Sequence, residues 1–240
     1  MSLSIVLPAY KEAENLKILL PKINQVLVAF QEPYEILVID SREKTDSTED
    51  VCISNQCTYI RRMGGDSYGD ALRTGFKCAK MDFLAVMDAD GSHNPEDILK
   101  LYEAMKAEDR HVVIGSRYIK GGSTSNGIIL KSMSFMVNLV YRIVFHIKAR
   151  DVSNSFRIYR TKQLQSITLE CDNFDIVEEI LIHLSIACPD FTIKEVPIYF
   201  SKRMYGESKR DLWKFVGSYL VTIRRLYKIR RKALKKKFPA

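Results

Sequence analysis

Two aspartates one residue apart, in Asp88-Ala89-Asp90, follow directly on the apolar run Phe83-Leu84-Ala85-Val86-Met87. Carboxylates so spaced at a strand end, where the chain turns, both reach one hard cation, and Mg2+ or Mn2+ held there bridges a diphosphate. Taken alone the pair is a weak signal, since two acids in a turn are more often simply solvated, and context must decide. His93 comes soon after, but Asn94-Pro95 beside it marks a turn and a helix start rather than a metal ligand. No His/Asp or His/Glu pairing for general base catalysis stands out, so the chemistry expected from these residues is that of a metal-bridged phosphate leaving group.

The elements that must hold such a site are legible in the hydrophobic pattern. Leu3 to Leu7 and Glu35 to Asp40 are short apolar runs that read as strands covered on both faces. Thr58-Tyr59-Ile60, Phe83 to Met87 and His111 to Gly115 continue the series. Between them, helical periodicity spans Glu12 to Leu27, Thr48 to Ser54, Gly69 to Lys80 and Pro95 to Glu108. The alternation predicts an α/β fold with a doubly wound, mostly parallel sheet, whose ligand crevice lies at the carboxyl ends of the strands, where Asp40 and Asp88 fall. The second half departs from this rhythm: a Gly/Ser/Thr/Asn loop over 121–127, then an apolar stretch over 128–147 interrupted by Lys131, Asn138, Arg142 and His146. Charges inside that stretch make crossing a bilayer costly, so an interfacial helix is expected. Ile193 to Phe200 reads as a further strand and Asp211 to Lys228 as a helix.

A chain of 240 residues with 46% hydrophobic content supports one sizeable core. The expected organisation is a catalytic domain over 1–210 and a basic amphipathic segment over 211–240. Five scattered cysteines without a C-x-x-C pair fit a reduced compartment. Met1-Ser2-Leu3-Ser4 has no basic region ahead of a long apolar stretch, so no signal peptide is expected. The net charge of +8 divides into +12 over residues 202–240 and −4 over the remainder. Such a tail seeks an anionic partner, and without interleaved base-stacking aromatics that partner is expected to be a membrane surface and not nucleic acid. The predicted location is cytoplasmic and peripheral to the membrane.

Several segments occur together in an order that resembles family 2 glycosyltransferases, and more narrowly the dolichol-phosphate or polyprenyl-phosphate mannosyltransferases. They are Val6-Leu7-Pro8-Ala9-Tyr10-Lys11-Glu12-Ala13-Glu14-Asn15, Val38-Ile39-Asp40, Gly69-Asp70-Ala71-Leu72-Arg73-Thr74-Gly75 and Met87-Asp88-Ala89-Asp90-Gly91-Ser92-His93. Gly115 to Gly122, Lys131, Ser134, Asn138, Asp151 to Tyr159 and Arg203 to Lys209 extend the resemblance to roughly residues 3–210. It implies a GT-A nucleotide-diphospho-sugar transferase fold, and an inverting, metal-dependent transfer of mannose or glucose from a GDP- or UDP-sugar to a polyprenyl phosphate.

By the same resemblance, Pro8, Tyr10, Glu12, Val38 and Asp40 match the nucleotide pocket. Asp88, Ala89 and Asp90 match the metal and diphosphate site. Arg117, Lys131, Ser134, Arg203 and Lys209 match the region that binds donor and acceptor phosphates; Asp90 and Arg117 are the residues expected to be catalytic. Two departures stand out. Lys131 occupies a position that is commonly arginine, and so lacks the bidentate fork. The run Asp40-Ser41-Arg42-Glu43-Lys44-Thr45-Asp46 replaces the family's usual Asp-Asp-Gly-Ser-x-Asp, which leaves GDP against UDP open. A phosphate acceptor needs no protein base, being largely ionised near neutral pH. The alternative acceptor, a hydroxyl of a polysaccharide or glycan, would need one from Asp151, Glu178 or Glu179. A catalytically idle nucleotide-sugar-binding module is the remaining alternative, against which the retained Asp88 and Asp90 argue.

Overall fold

The computed structural model describes residues 1–206 and 212–237. The first half alternates as expected: β1 (Leu3–Pro8), α1 (Ala13–Leu27), β2 (Tyr34–Asp40), α2 (Thr48–Ser54), β3 (Thr58–Arg61), α3 (Tyr68–Cys78), β4 (Phe83–Val86), α4 (Glu96–Ala107) and β5 (Val112–Ser116). The second half adds β6 (Ser123–Thr124), α5 (Ile128–Phe145), β7 (Arg157–Arg160), α6 (Thr161–Gln165), α7 (Ile176–Ala187), β8 (Ile193–Pro197), β9 (Tyr199–Phe200) and α8 (Leu212–Lys237). Seven strands form one sheet in the order β3-β2-β1-β4-β7-β5-β8. All neighbours are parallel except β7, which runs antiparallel to both β4 and β5.

The continuous apolar runs are explained by burial on both faces. Leu3, Ile5 and Leu7 point into a core layer with α1, α2 and α4, while Val6, Leu37 and Ile39 point into the opposite layer with α3, α5, α7 and α8. The expected strand over 193–200 divides at Ile198. Its N–H donates to Ser116 O (3.1 Å) and its carbonyl accepts from Ser123 N (3.0 Å). The chain thereby passes from the main sheet into a small β6-β9 ribbon. α5 ends at Phe145, with His146 in a left-handed conformation (φ 51°), slightly short of the expected boundary. Its flank is exposed at Ile128, Ile129, Phe135, Met136 and Ile143. Among the described residues it is the one helix long and apolar enough to cross a membrane by length and composition. α8 is no detached appendage: Tyr219, Thr222 and Leu226 are buried against α7 and its surroundings, while Leu220, Val221, Tyr227 and Leu234 stay exposed. The apolar stripe expected to lie wholly on a membrane is thus shared with the protein's own core.

Candidate functional site

β4 delivers Asp88 and Asp90 to the carboxyl edge of the sheet, in the turn that follows Val86. Asp88 is braced from two sides, accepting hydrogen bonds from Ser155 Oγ (2.8 Å) and Tyr68 Oη (3.3 Å). Asp90 Oδ1 accepts from the Ser92 N–H (3.0 Å), an Asx turn that fixes its direction. Ala89 between them is buried and fills the turn from below. His93 is buried too. Its Nδ1 accepts from the Asp88 N–H (3.3 Å) and its Nε2 lies 3.2 Å from Asn154 Oδ1, so it shapes the turn from behind and does not face a ligand.

A second cluster forms around Arg117, just past β5. Its guanidinium makes two bonds to Asp151, Nε to Oδ2 (2.8 Å) and Nη2 to Oδ1 (2.7 Å), and also reaches Ser134 Oγ (3.0 Å) and Ser153 Oγ (2.9 Å). Burial works against the charge, but the bonds to Asp151 outweigh it and raise the Arg117 pKa. Lys131 lies exposed one helical turn before Ser134, on the same side of α5. The segment 151–155 joins the two clusters: Asp151 and Ser153 hold Arg117, Asn154 donates to Gly115 O (2.5 Å), and Ser155 braces Asp88. The partners just named, Arg117, Gly115 and Asp88, lie 34 to 67 residues away in sequence, a separation that leaves no local pattern to read. Asp151 does not pair with the nearby Arg157. Arg157 is fully buried and donates instead to the carbonyls of Val152, Asn154 and Val177.

The other expected residues surround this edge from β1 and β2. Pro8 ends β1 in register with Ile39, and Tyr10 stands over it, exposed, with the cations of Lys11 and Arg62 within 5.7 and 5.9 Å of its ring. Val38 is wholly enclosed in the core, so it supports the crevice floor instead of lining it. Asp40 is buried, which raises its pKa, and it accepts a bond from Tyr59 Oη (3.3 Å). In the altered loop, Asp46 carries the structure: Oδ2 accepts from the Ala13 N–H (3.0 Å) and Oδ1 from the Thr48 N–H (2.9 Å), so one carboxylate serves two helix starts. Arg62, which sequence reasoning missed, is nearly buried beside Asp40 and donates to Ala9 O (2.5 Å) and Asp66 O (2.5 Å).

The segment 201–206 closes over the edge as a strap. Arg203 Nη2 donates to Glu12 Oε1 (2.7 Å), the Met204 N–H to Asp90 O (3.0 Å), and the Tyr205 N–H to Asn15 Oδ1 (2.9 Å). Gly91, at φ +75°, permits this approach, because a Cβ there would lie 2.2 Å from Met204 Cε. Glu12 has its pKa raised, chiefly by burial, with the nearby Asp90 adding to the effect. Lys209 lies outside the described residues.

The two aspartates fit a cation. Glu12 lies near Asp90 but is paired with Arg203, and among the described residues no Lys or Arg pairs with Asp88 or Asp90. Nor, among the described residues, do three or more His, Cys, Asp or Glu side chains gather as a complete metal cage. A hard cation bound by one or two carboxylates ordinarily completes its shell with water and substrate phosphate oxygens. The three candidate bases for a hydroxyl acceptor are placed otherwise. Asp151 is committed to Arg117, Glu178 to Tyr219 Oη (3.0 and 3.1 Å), and Glu179 to the Cys171 N–H (2.9 Å) and Arg225 (2.7 Å); all three are fully buried.

Comparison with known proteins gives the family and the fold. Residues 4–168 match the family described as Glycosyl transferase family 2. A dolichol-phosphate mannosyltransferase of Pyrococcus furiosus is 35% identical over 95% of this chain, which spans only 64% of that longer relative. An undecaprenyl-phosphate mannosyltransferase of Micrococcus luteus is 30% identical over 94% of this chain and 93% of its own length. Among solved structures, glucosyl-3-phosphoglycerate synthase of Mycobacterium tuberculosis in complex with UDP superposes with a TM-score of 0.72 at 17% identity, covering 95% of this chain and 80% of that one. The same enzyme with Mn2+, UDP and phosphoglyceric acid gives 0.70 at 16% identity, over 98% and 78% of the two chains. At such identities the likeness speaks to the fold.

Proposed function

The chain belongs to glycosyl transferase family 2 and has its GT-A fold, and from that premise we propose that it transfers a hexosyl group, mannose or glucose, from a nucleotide-sugar to a polyprenyl phosphate, with inversion. The observation that carries this reading is the pairing of two clusters across segment 151–155: a carboxylate pair with no cationic partner among the described residues, and a buried arginine with hydroxyls around it. The first suits a metal-bound diphosphate and the second an anionic acceptor. The names of the two mannosyltransferase relatives support the same acceptor class.

Asp88 and Asp90 would hold Mg2+ or Mn2+, which when bound neutralises charge on the departing nucleoside diphosphate. Tyr68 and Ser155 keep Asp88 in one orientation, and Ser92 does so for Asp90. Tyr10, Asp40, Glu12 and Arg62 border the nucleotide side, and Arg203 with its strap covers it. Arg117, with Asp151 fixing its plane, presents its remaining donor capacity beside Ser134 and Lys131 toward the acceptor phosphate. The acceptor oxygen then attacks the anomeric carbon opposite the leaving group, and no proton need be removed because the phosphate is already ionised. Full burial of Asp151, Glu178 and Glu179 weighs against the hydroxyl-acceptor alternative. The test is a donor screen with GDP-mannose, UDP-glucose and related sugars, with Mn2+ or Mg2+ and a short-chain polyprenyl phosphate. Metal-dependent glycolipid is the expected product; transfer only to a glycan hydroxyl would overturn the acceptor assignment.

A further inference from the structure

Two adjoining hollows open between α5 and the stretch that links it to β7, and neither is lined by Asp88 or Asp90. One, of about 360 Å3, is lined by Tyr118, Phe135, Asn138, Leu139, Arg142 and Arg150. The other, of about 580 Å3, shares Leu139, Arg142 and Arg150 and extends to Lys148 and Glu195. Asn138 is only 4% exposed. Its Oδ1 accepts from the Ser153 N–H (3.1 Å), which fixes the amide, and its Nδ2 is then buried with no partner among the described residues. The Tyr118 hydroxyl is also buried without one among them. A buried donor left unpaired costs free energy that a ligand oxygen would recover.

These groups share one sign. Asn138 Nδ2 donates only, Arg142 and Arg150 are cations, and Lys148 adds a third. Glu195, the acid in the lining, is committed to the backbone N–H groups of Arg150 (2.8 Å) and Asp151 (3.0 Å). A compact anion with several acceptor oxygens, a phosphate, satisfies such a set. The walls add that it carries an apolar chain: Phe135 and Leu139 line the hollow, and Phe135, Met136 and Ile143 continue an exposed apolar face along α5.

We propose that this cleft binds the phosphate headgroup of an anionic membrane phospholipid, separately from the crevice of sugar transfer. The proposal rests on the peripheral membrane location expected from the sequence for its lipid source and is independent of the transfer chemistry of the proposed function. It is tested by calorimetric titration of the full chain with dihexanoyl phosphatidic acid, inorganic phosphate and hexanoate. Phosphatidic acid should bind more tightly than either of the others, and Arg142→Gln combined with Arg150→Gln should weaken it about tenfold or more, the loss of charge-assisted bonds. Asn138→Asp, which keeps the acceptor for Ser153 and replaces the lone donor by an anion, should weaken it as well and serves if the double variant misfolds. Metal-dependent binding of the donor nucleotide should be unchanged in these variants. If nucleotide binding fails in the wild type while phosphatidic acid binding survives and is lost in the variants, the transferase reading falls and this one stands. Undiminished phosphatidic acid binding in the folded variants overturns it, and equal binding of inorganic phosphate or hexanoate overturns the lipid assignment.

Discussion

At the scale of single residues, the Asp88-Ala89-Asp90 turn makes two predictions that separate holding a cation from aiming its ligand. Asp90→Ala removes a carboxylate whose second oxygen accepts no hydrogen bond among the described residues. The loss of a metal-bridged diphosphate should cost several kcal/mol in the transition state, hence well over a hundredfold in rate. Rate measurements across a Mn2+ titration, with and without chelator, check this; full activity in the variant would refute the role. Ser155→Ala is subtler, because it leaves both carboxylates and deletes only the 2.8 Å bond that orients Asp88. Removing an outer-shell partner of this kind typically costs about 10- to 100-fold in metal affinity or activity. The half-saturating metal concentration should therefore rise, and an unchanged metal titration would mean that Asp88 needs no brace.

At the scale of elements, α8 is held to α7 by buried polar chemistry. Tyr219 meets Glu178, Arg225 meets Glu179, and Thr222 meets Asp175. Burial pushes the Glu178 pKa from 4.5 up to about 8, against the opposing pull of Arg157 and the Tyr219 hydroxyl. Glu178 thus binds its proton more tightly folded than unfolded, and folding takes up a proton between those two values. Its contribution to stability is fullest below the window and is lost as pH rises through it. The melting temperature of the wild type should fall more steeply than that of Glu178→Gln between about pH 5 and 8, as thermal denaturation at several pH values would show; parallel curves would contradict it. Truncation before Leu212 should lower the melting temperature as well, since it strips the cover from Glu178 and Glu179, whereas a dispensable tail would leave it unchanged. Which elements were legible in the sequence follows from the same physics. β1, β2 and β4 stand out because a strand covered on both faces must be apolar throughout. β7, Arg-Ile-Tyr-Arg, carries charges at both ends and gave no signal, since the needs of Arg157 are met by three carbonyls that only the folded chain assembles. The aspartate turn was readable because its residues are adjacent; Arg117–Asp151 and Ser155–Asp88 were not, because they are joined only by topology.

At the scale of the whole molecule, α5 and α8 both expose apolar residues and residues 202–240 carry a net charge of +12, which together predict binding to an anionic surface. Each basic residue near such a surface contributes about 1 kcal/mol, and salt weakens it. The protein should sediment with phosphatidylglycerol vesicles at low salt and be released in about 1 M salt; extraction by detergent alone would point to insertion of α5, and equal binding to neutral vesicles would remove the electrostatic argument. The strand order has a temporal consequence. β7 sits between β4 and β5 although it follows β5 by some forty residues. A ribosome releasing this chain vectorially therefore exposes two strands whose facing edges stay unpaired until residues 157–160 emerge and insert between them. Until then the nascent chain carries an open slot beside the aspartate turn, and its β4 and β5 edges are the ones a holdase would have to shield from neighbouring chains.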